Sequence, residues 1–214
     1  METYSTVVTF FKSGGFFMYP IMLVLACGVA IAIERYIYLT RAKKTNLSLW
    51  QELLPLVNAN RYRDAFALAS ESNAGIGKML SNGLIRAHNK SKLSEIETAM
   101  DEGLMEAVPR LEKRTHYLST FANIATLLGL LGTIIGLIEA FTAVSNADPA
   151  EKADLLSASI SVAMNTTAFG LMVAIPLLLV FTVIQTKTNE IVDGLEMIAV
   201  KFLNVISSQK NQDD

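Results

Sequence analysis

Between Asp154 and Lys187 the sequence carries no charged side chain for about 32 residues. As a helix rising about 1.5 Å per residue, that run is roughly 48 Å long, well beyond a hydrocarbon core of about 30 Å. Lipid offers no hydrogen-bond partner to the backbone, so a run of this kind crosses as a helix. Two more runs meet the length requirement of roughly 20 residues. One is "FFMYPIMLVLACGVAIAI", residues 16–33, closed by Glu34 and Arg35; the other covers residues 117–138. The excess length of the last run predicts a helix that continues out of the bilayer.

A signal peptide does not account for the first run. It starts late, lacks a basic leader and a small-residue cleavage site, and leads into an aromatic and basic flank. That flank, with Tyr36 and Tyr38 followed by Arg41, Lys43 and Lys44, suits a membrane interface on the positive side. Residues 41–114 hold most of the Lys and Arg, whereas the connection "SNADPAEKAD" is short and mostly acidic. The expected topology therefore puts the N-terminus outside, a helical segment inside, a tight outer hairpin near 146–154, and the C-terminus inside. The expected division is an outer segment at 1–15, spans at 16–40, 117–144 and 157–186, an inner segment at 41–116, the hairpin at 145–156, and an inner C-terminal helix at 187–214. The fold class is an all-α integral membrane protein with long helical cytoplasmic extensions.

Apolar spacing of three and four residues makes 41–116 helical. Ser94 with Glu97 reads as a capping box opening a helix toward the second span. Pro109 marks a kink or a break in it, and "NAG" and "HNKS" read as turns. A net charge of −2 gives no case for nucleic acid, and no phosphate-cradling glycine loop is present. The lone Cys27 excludes an intrachain disulfide. His88 and His116 have no ligand partners at metal spacing, so they read as surface or interface residues. No metal, cofactor or catalytic group is expected.

The apolar stretch "LLGLLGTIIGLIEAF", residues 127–141, carries Gly129, Gly132 and Gly136 together with Thr133. In lipid, helix association leans on close packing, which small residues permit. At 100° per residue Ala122, Thr126, Gly129, Thr133, Gly136 and Ala140 share one face, as do Ser159, Ala163, Thr166/Thr167, Gly170 and Ala174 on the third span. Counting in from the hairpin sets Thr133 and Thr167 level, at roughly 15–16 Å depth. The inner portions of these spans hold no ionisable residue, although a proton or cation carrier normally uses one. Glu139, about 240° around the helix from Thr133, favours the interface or an intersubunit contact.

Three stretches resemble one family. "LLGLLGTIIGLIEAF", "TTAFGLMVAIP" ending at Pro176, and "IAIERYIYL" at the first exit are similar to signatures of the MotA/TolQ/ExbB motor subunits, specifically the three-span ExbB/TolQ branch. The resemblance implies a homopentamer in the bacterial inner membrane around a one-span ExbD/TolR-like partner. That partner would carry the membrane aspartate this chain lacks. A TonB- or TolA-like protein would be a further partner. H+ would be the ion carried, with Na+ the alternative, and the process driven would be envelope import, envelope maintenance or a motility-like system. Thr133 and Thr167, with Thr166 beside them, match the family's pathway threonines, and Gly129, Gly132, Gly136, Gly170 and Pro176 its packing positions. Val162 stands where ExbB-type sequences often carry a glutamate, and Thr126 where a proline is common. A non-conducting scaffold and a small-molecule transporter are the competing classes; the second predicts more spans or inverted repeats, which the sequence lacks.

Overall fold

The computed structural model describes residues 14–72, 74–145 and 147–213, with side chains up to 210. Most of the N-terminal outer segment, Asn73 of the first turn and Asn146 of the hairpin lie outside the described residues. Six helices and no strands are present among those described: α1 (Met18–Asn58), α2 (Tyr62–Glu71), α3 (Gly75–His88), α4 (Leu93–Glu112), α5 (Thr115–Ser145) and α6 (Lys152–Asp213). The parts of α1, α5 and α6 that read as spans are apolar and long enough to cross a membrane. The 62 residues of α6 extend roughly 93 Å at about 1.5 Å each, so the helix continues far beyond any bilayer, as its uncharged length required. The chain forms two compact units. Of the described residues, one contains those up to 33 together with 114–183; the other contains 34–113 and those from 184 onward.

In the first unit α5 and α6 meet along a seam of small residues. Ala122, Ala125, Gly129, Gly132 and Ala140 are buried on α5, and Ala163, Thr166, Gly170 and Ala174 on α6. The α6 face is the expected one. The α5 face is turned slightly, with Ala125 and Gly132 in the places expected for Thr126 and Thr133. Thr126 is exposed and Thr133 half-buried. The reason is steric: backbones approach most closely where there is no Cβ, so the glycines occupy the contact and the threonines move to its edge. A Cβ on Gly129 would sit 3.3 Å from the Gly170 Cα, and one on Gly136 2.9 Å from the Ala163 Cβ. The start of α1 joins this unit, with Met18 and Ile21 fully buried and Gly28 close against Leu177. Pro176 lies within α6 and is exposed.

The second unit is a soluble-type core. Ile76, Met79, Leu80, Leu84 and Ala87 recur at helical spacing on α3 and are buried, facing Ile96, Met100 and Ala107 on α4. Gly103 allows the two backbones to touch, since a Cβ there would lie 2.6 Å from the Met79 Cα. The capping box does not form. Lys92 is the N-cap, with extended backbone angles, so Ser94 is already helical and cannot take the non-helical geometry that capping requires. Pro109 neither ends nor breaks α4, which continues to Glu112. The break comes at Lys113 and Arg114, the latter with φ of 63°, an uncommon conformation for a residue with a Cβ. The HNKS turn is present, with Lys90 at φ 53°.

Exposed ion pairs decorate this unit, and two of its carboxyls are held by them. The Lys78 ammonium donates to Glu106, which also accepts from Arg110 at 3.0 Å. The Lys43 ammonium donates to Glu190 at 2.7 Å. Both carboxyls are held below their ordinary value, first by the lysine hydrogen bond and then by its charge. A lowered carboxyl stabilises the fold above the ordinary carboxylate range and loses that contribution as pH falls through the lowered value. Both Lys43 and Glu190 are more than half exposed, so the contribution is small. Glu190→Gln should lower the melting temperature only slightly at neutral pH, and the difference from wild type should shrink as the pH falls through the lowered carboxyl value. Thermal melts at pH 7 and pH 3 check this.

Candidate ion pathway at the hairpin seam

Contacts across the seam set its register. Gly136 faces Ala163, Gly132 faces Thr166, and Gly129 faces Thr167 and Gly170. In this antiparallel register Thr133 lies about two residues nearer the hairpin than Thr167, roughly 3 Å along the axis. The two hydroxyls are thus offset by about half a turn rather than level. The sequence count assumed equal distances from the hairpin on both helices, and the close approach of the glycines slides them instead.

The three threonines have different surroundings. Thr167 Oγ1 donates across the seam to the Gly129 carbonyl at 2.8 Å. Thr133 Oγ1 donates to the Leu130 carbonyl of its own helix at 2.6 Å. Both residues are half-buried. Thr166 is 2 % exposed, and its hydroxyl lies 2.6 Å from the Gly14 carbonyl and 3.1 Å from that of Val162. A hydroxyl has one proton, so Thr166 tethers the segment before α1 to α6 from inside the chain. Gly14 gave no sequence signal for this role, because the acceptor is backbone.

Chemically, Thr133 and Thr167 present oxygens whose protons already point at carbonyls. Each oxygen retains acceptor capacity, which suits a donor such as a protonated carboxyl or a water. The uncharged stretches of both helices contain no Asp, Glu, Lys or Arg, and Glu139 is exposed. No cluster of groups able to hold a metal occurs among the described residues. His88 and His116 are exposed, the latter with its ring 6.2 Å from that of Phe181.

The arginine that closes the first apolar run, within "IAIERYIYL", has a structural role in the second unit. Arg35 is 2 % exposed and donates to the Leu111 carbonyl in the last turn of α4. Its guanidinium also lies 4.7 Å from the centre of the Tyr38 ring. A cation at a helix C-terminus is favoured by the dipole and by the unpaired carbonyls there.

Comparison with known proteins gives a consistent result. The MotA/TolQ/ExbB proton channel family matches residues 71–197. An ExbB homolog of Methanothermobacter thermautotrophicus, described as a biopolymer transport protein, is 29 % identical over 201 residues, covering 91 % of this chain and 68 % of the relative. The Tol-Pal system protein TolQ of Haemophilus influenzae is 27 % identical over 144 residues, covering 67 % of this chain and 58 % of the relative. Biopolymer transport protein exbB1 of Vibrio cholerae is 36 % identical over 93 residues, 44 % of this chain and 41 % of the relative. Three apolar helices, a glycine seam edged by hydroxyls and this match over more than half its length establish that the chain belongs to the MotA/TolQ/ExbB proton channel family, as a multi-pass membrane protein of its ExbB/TolQ branch.

Proposed function

We propose that this chain is the stationary, ion-conducting subunit of an inner-membrane motor, working with a one-span ExbD/TolR-like protein that supplies a membrane carboxyl. The observation that carries the reading is the pair Thr133 and Thr167. Two half-buried hydroxyl oxygens stand at the edge of a seam with no ionisable group of its own. A conducting site needs a group that takes and releases a proton, and the acceptor oxygens here suit a carboxyl brought by another chain. H+ is the ion this chemistry serves best, because a protonated carboxyl is a donor to a hydroxyl oxygen already committed to a carbonyl. The driven process is energised import through a TonB-like protein. Five copies would surround the partner helices, with the exposed apolar faces of α5 and α6, among them Leu130, Ile134, Met172 and Leu179, against lipid or neighbouring copies.

The test is proton flux into liposomes containing this chain with and without a co-expressed one-span partner. Partner-dependent flux supports the motor; flux that is absent with a correctly assembled partner returns the chain to the scaffold reading. Orientation is tested separately. In a Cys27→Ser background, Ala147→Cys should react with an impermeant thiol reagent applied outside the cell, and Ser72→Cys should not. The opposite pattern would overturn the assigned direction.

A further inference from the structure

The second unit contains a cavity of about 260 Å³ whose lining includes Tyr38, Arg41, Asn46, Gly75, Lys78 and Arg110. We propose that this cavity binds a phosphate group, carried by a lipid headgroup or by a soluble phosphate, and that Arg41, Lys78, Arg110 and Asn46 hold it.

Three observations converge. The first is charge. Three cations line the cavity, and among the described residues the carboxylate paired with them is Glu106, shared by Lys78 and Arg110. These four side chains leave a surplus of two positive charges, and Glu106 fixes the orientation of two of the cations. The second is the N-terminus of α3. Its N-cap, Ala74, makes no side-chain cap, and Gly75 places no side chain between the first turn and the cavity. Such a terminus favours an anion. The third is a buried amide. Asn46 is 6 % exposed, and its side-chain oxygen accepts from the Ile76 N–H at 3.3 Å. That acceptor role turns the NH2 group the other way, where no partner lies among the described residues. A buried amide donor without a partner costs about 1–3 kcal/mol, and in a cavity of this charge an anionic oxygen would satisfy it.

Two walls of the cavity come from chain close to the spans. Tyr38 and Arg41 follow the first apolar run by five and eight residues, and Arg110 precedes the start of α5 by five residues. A headgroup is therefore within reach, while a soluble phosphate can enter the same site. Planar guanidinium groups bind phosphate oxygens in pairs, and the two arginines provide that.

The experiment uses the full chain in two arms. In detergent, inorganic pyrophosphate is titrated calorimetrically at low salt. In nanodiscs of phosphatidylglycerol and phosphatidylcholine, lipids retained on release are counted by native mass spectrometry. The wild type should bind pyrophosphate or retain phosphatidylglycerol, which identifies the source. Arg41→Gln/Arg110→Gln should weaken that binding by at least about tenfold. Asn46→Asp keeps the acceptor for Ile76 and adds repulsion, and should weaken it similarly with unchanged helicity by circular dichroism. Lys43→Gln, outside the cavity lining, should bind as the wild type does. If the wild type binds neither probe, or the double variant binds as well as the wild type, the proposal is wrong.

Discussion

Gly170→Ala should destabilise the protein clearly, whereas Gly194→Ala, on the same helix α6, should stabilise it. Intrinsic helix propensity treats the two alike and favours alanine by up to about 1 kcal/mol. Their surroundings decide the sign. A Cβ on Gly170 would lie 2.7 Å from the Ala125 carbonyl oxygen and 3.1 Å from the Gly129 Cα, both backbone atoms, while nothing lies within 4 Å of one on Gly194. Backbone cannot rotate aside as a side chain can, so α5 and α6 must separate along the seam. Overpacking of this kind typically costs about 1–3 kcal/mol, and separation also loses contacts at Gly129 and Thr167. Gly136→Ala should fall between, because it meets the Ala163 methyl at 2.9 Å, and Gly170→Leu should prevent stable folding. Melting in a mild detergent, followed by helicity and by resistance to protease, gives the order. Equal effects of Gly170→Ala and Gly194→Ala would mean the helices do not pack as described.

The three spans, the long extension of α6 and the small-residue face of the third span were legible in the sequence because each rests on a local property. Absence of charge marks a span, and recurrence at three and four residues marks a face. Register was not legible. Gly132 and Thr133 are neighbours, and which of them enters the contact depends on how closely the opposite backbone approaches. Distance counts from the hairpin could not know that the helices slide until Gly129 meets Gly170. The same limit applies to Thr166 and Thr167. Their side chains diverge by 100° on the helix, so one is enclosed while the other reaches the edge of the seam, and nothing in the pair of letters distinguishes them. The capping box failed for a related reason: Ser94 and Glu97 satisfy the spacing, but the helix begins at Leu93, which leaves the serine inside it. Arg35 and Asn46 were hidden by long-range pairing. Their partners, the carbonyl of Leu111 and the N–H of Ile76, are backbone groups distant in sequence that carry no side-chain signature.

Placement of the three threonines makes their valine variants separable by experiment. Valine keeps the shape of threonine and removes the hydroxyl. Thr133→Val loses only a bond within its own helix to Leu130, and stability should barely change. Thr167→Val loses a bond across the seam to Gly129, worth about 0.6–2 kcal/mol in a membrane setting, which is small against the packing of α5 on α6. Thr166→Val removes the tether to Gly14 and leaves that carbonyl short of a donor, a cost of about 1–3 kcal/mol. The stability order should therefore be Thr133→Val least affected and Thr166→Val most. The order for partner-dependent flux, normalised to folded protein, should differ. On the proposed function, in which a partner's carboxyl donates to these oxygens, Thr133→Val and Thr167→Val should each lower it sharply, because losing that oxygen would shift the carboxyl's protonation equilibrium. Thr166→Val should conduct in proportion to the protein that folds. Serine at 133 and 167 should restore most of the flux, because it restores the oxygen. If the valine variants at 133 and 167 fold and conduct like the wild type, those hydroxyls are packing residues, and the pathway runs elsewhere even though the family assignment stands.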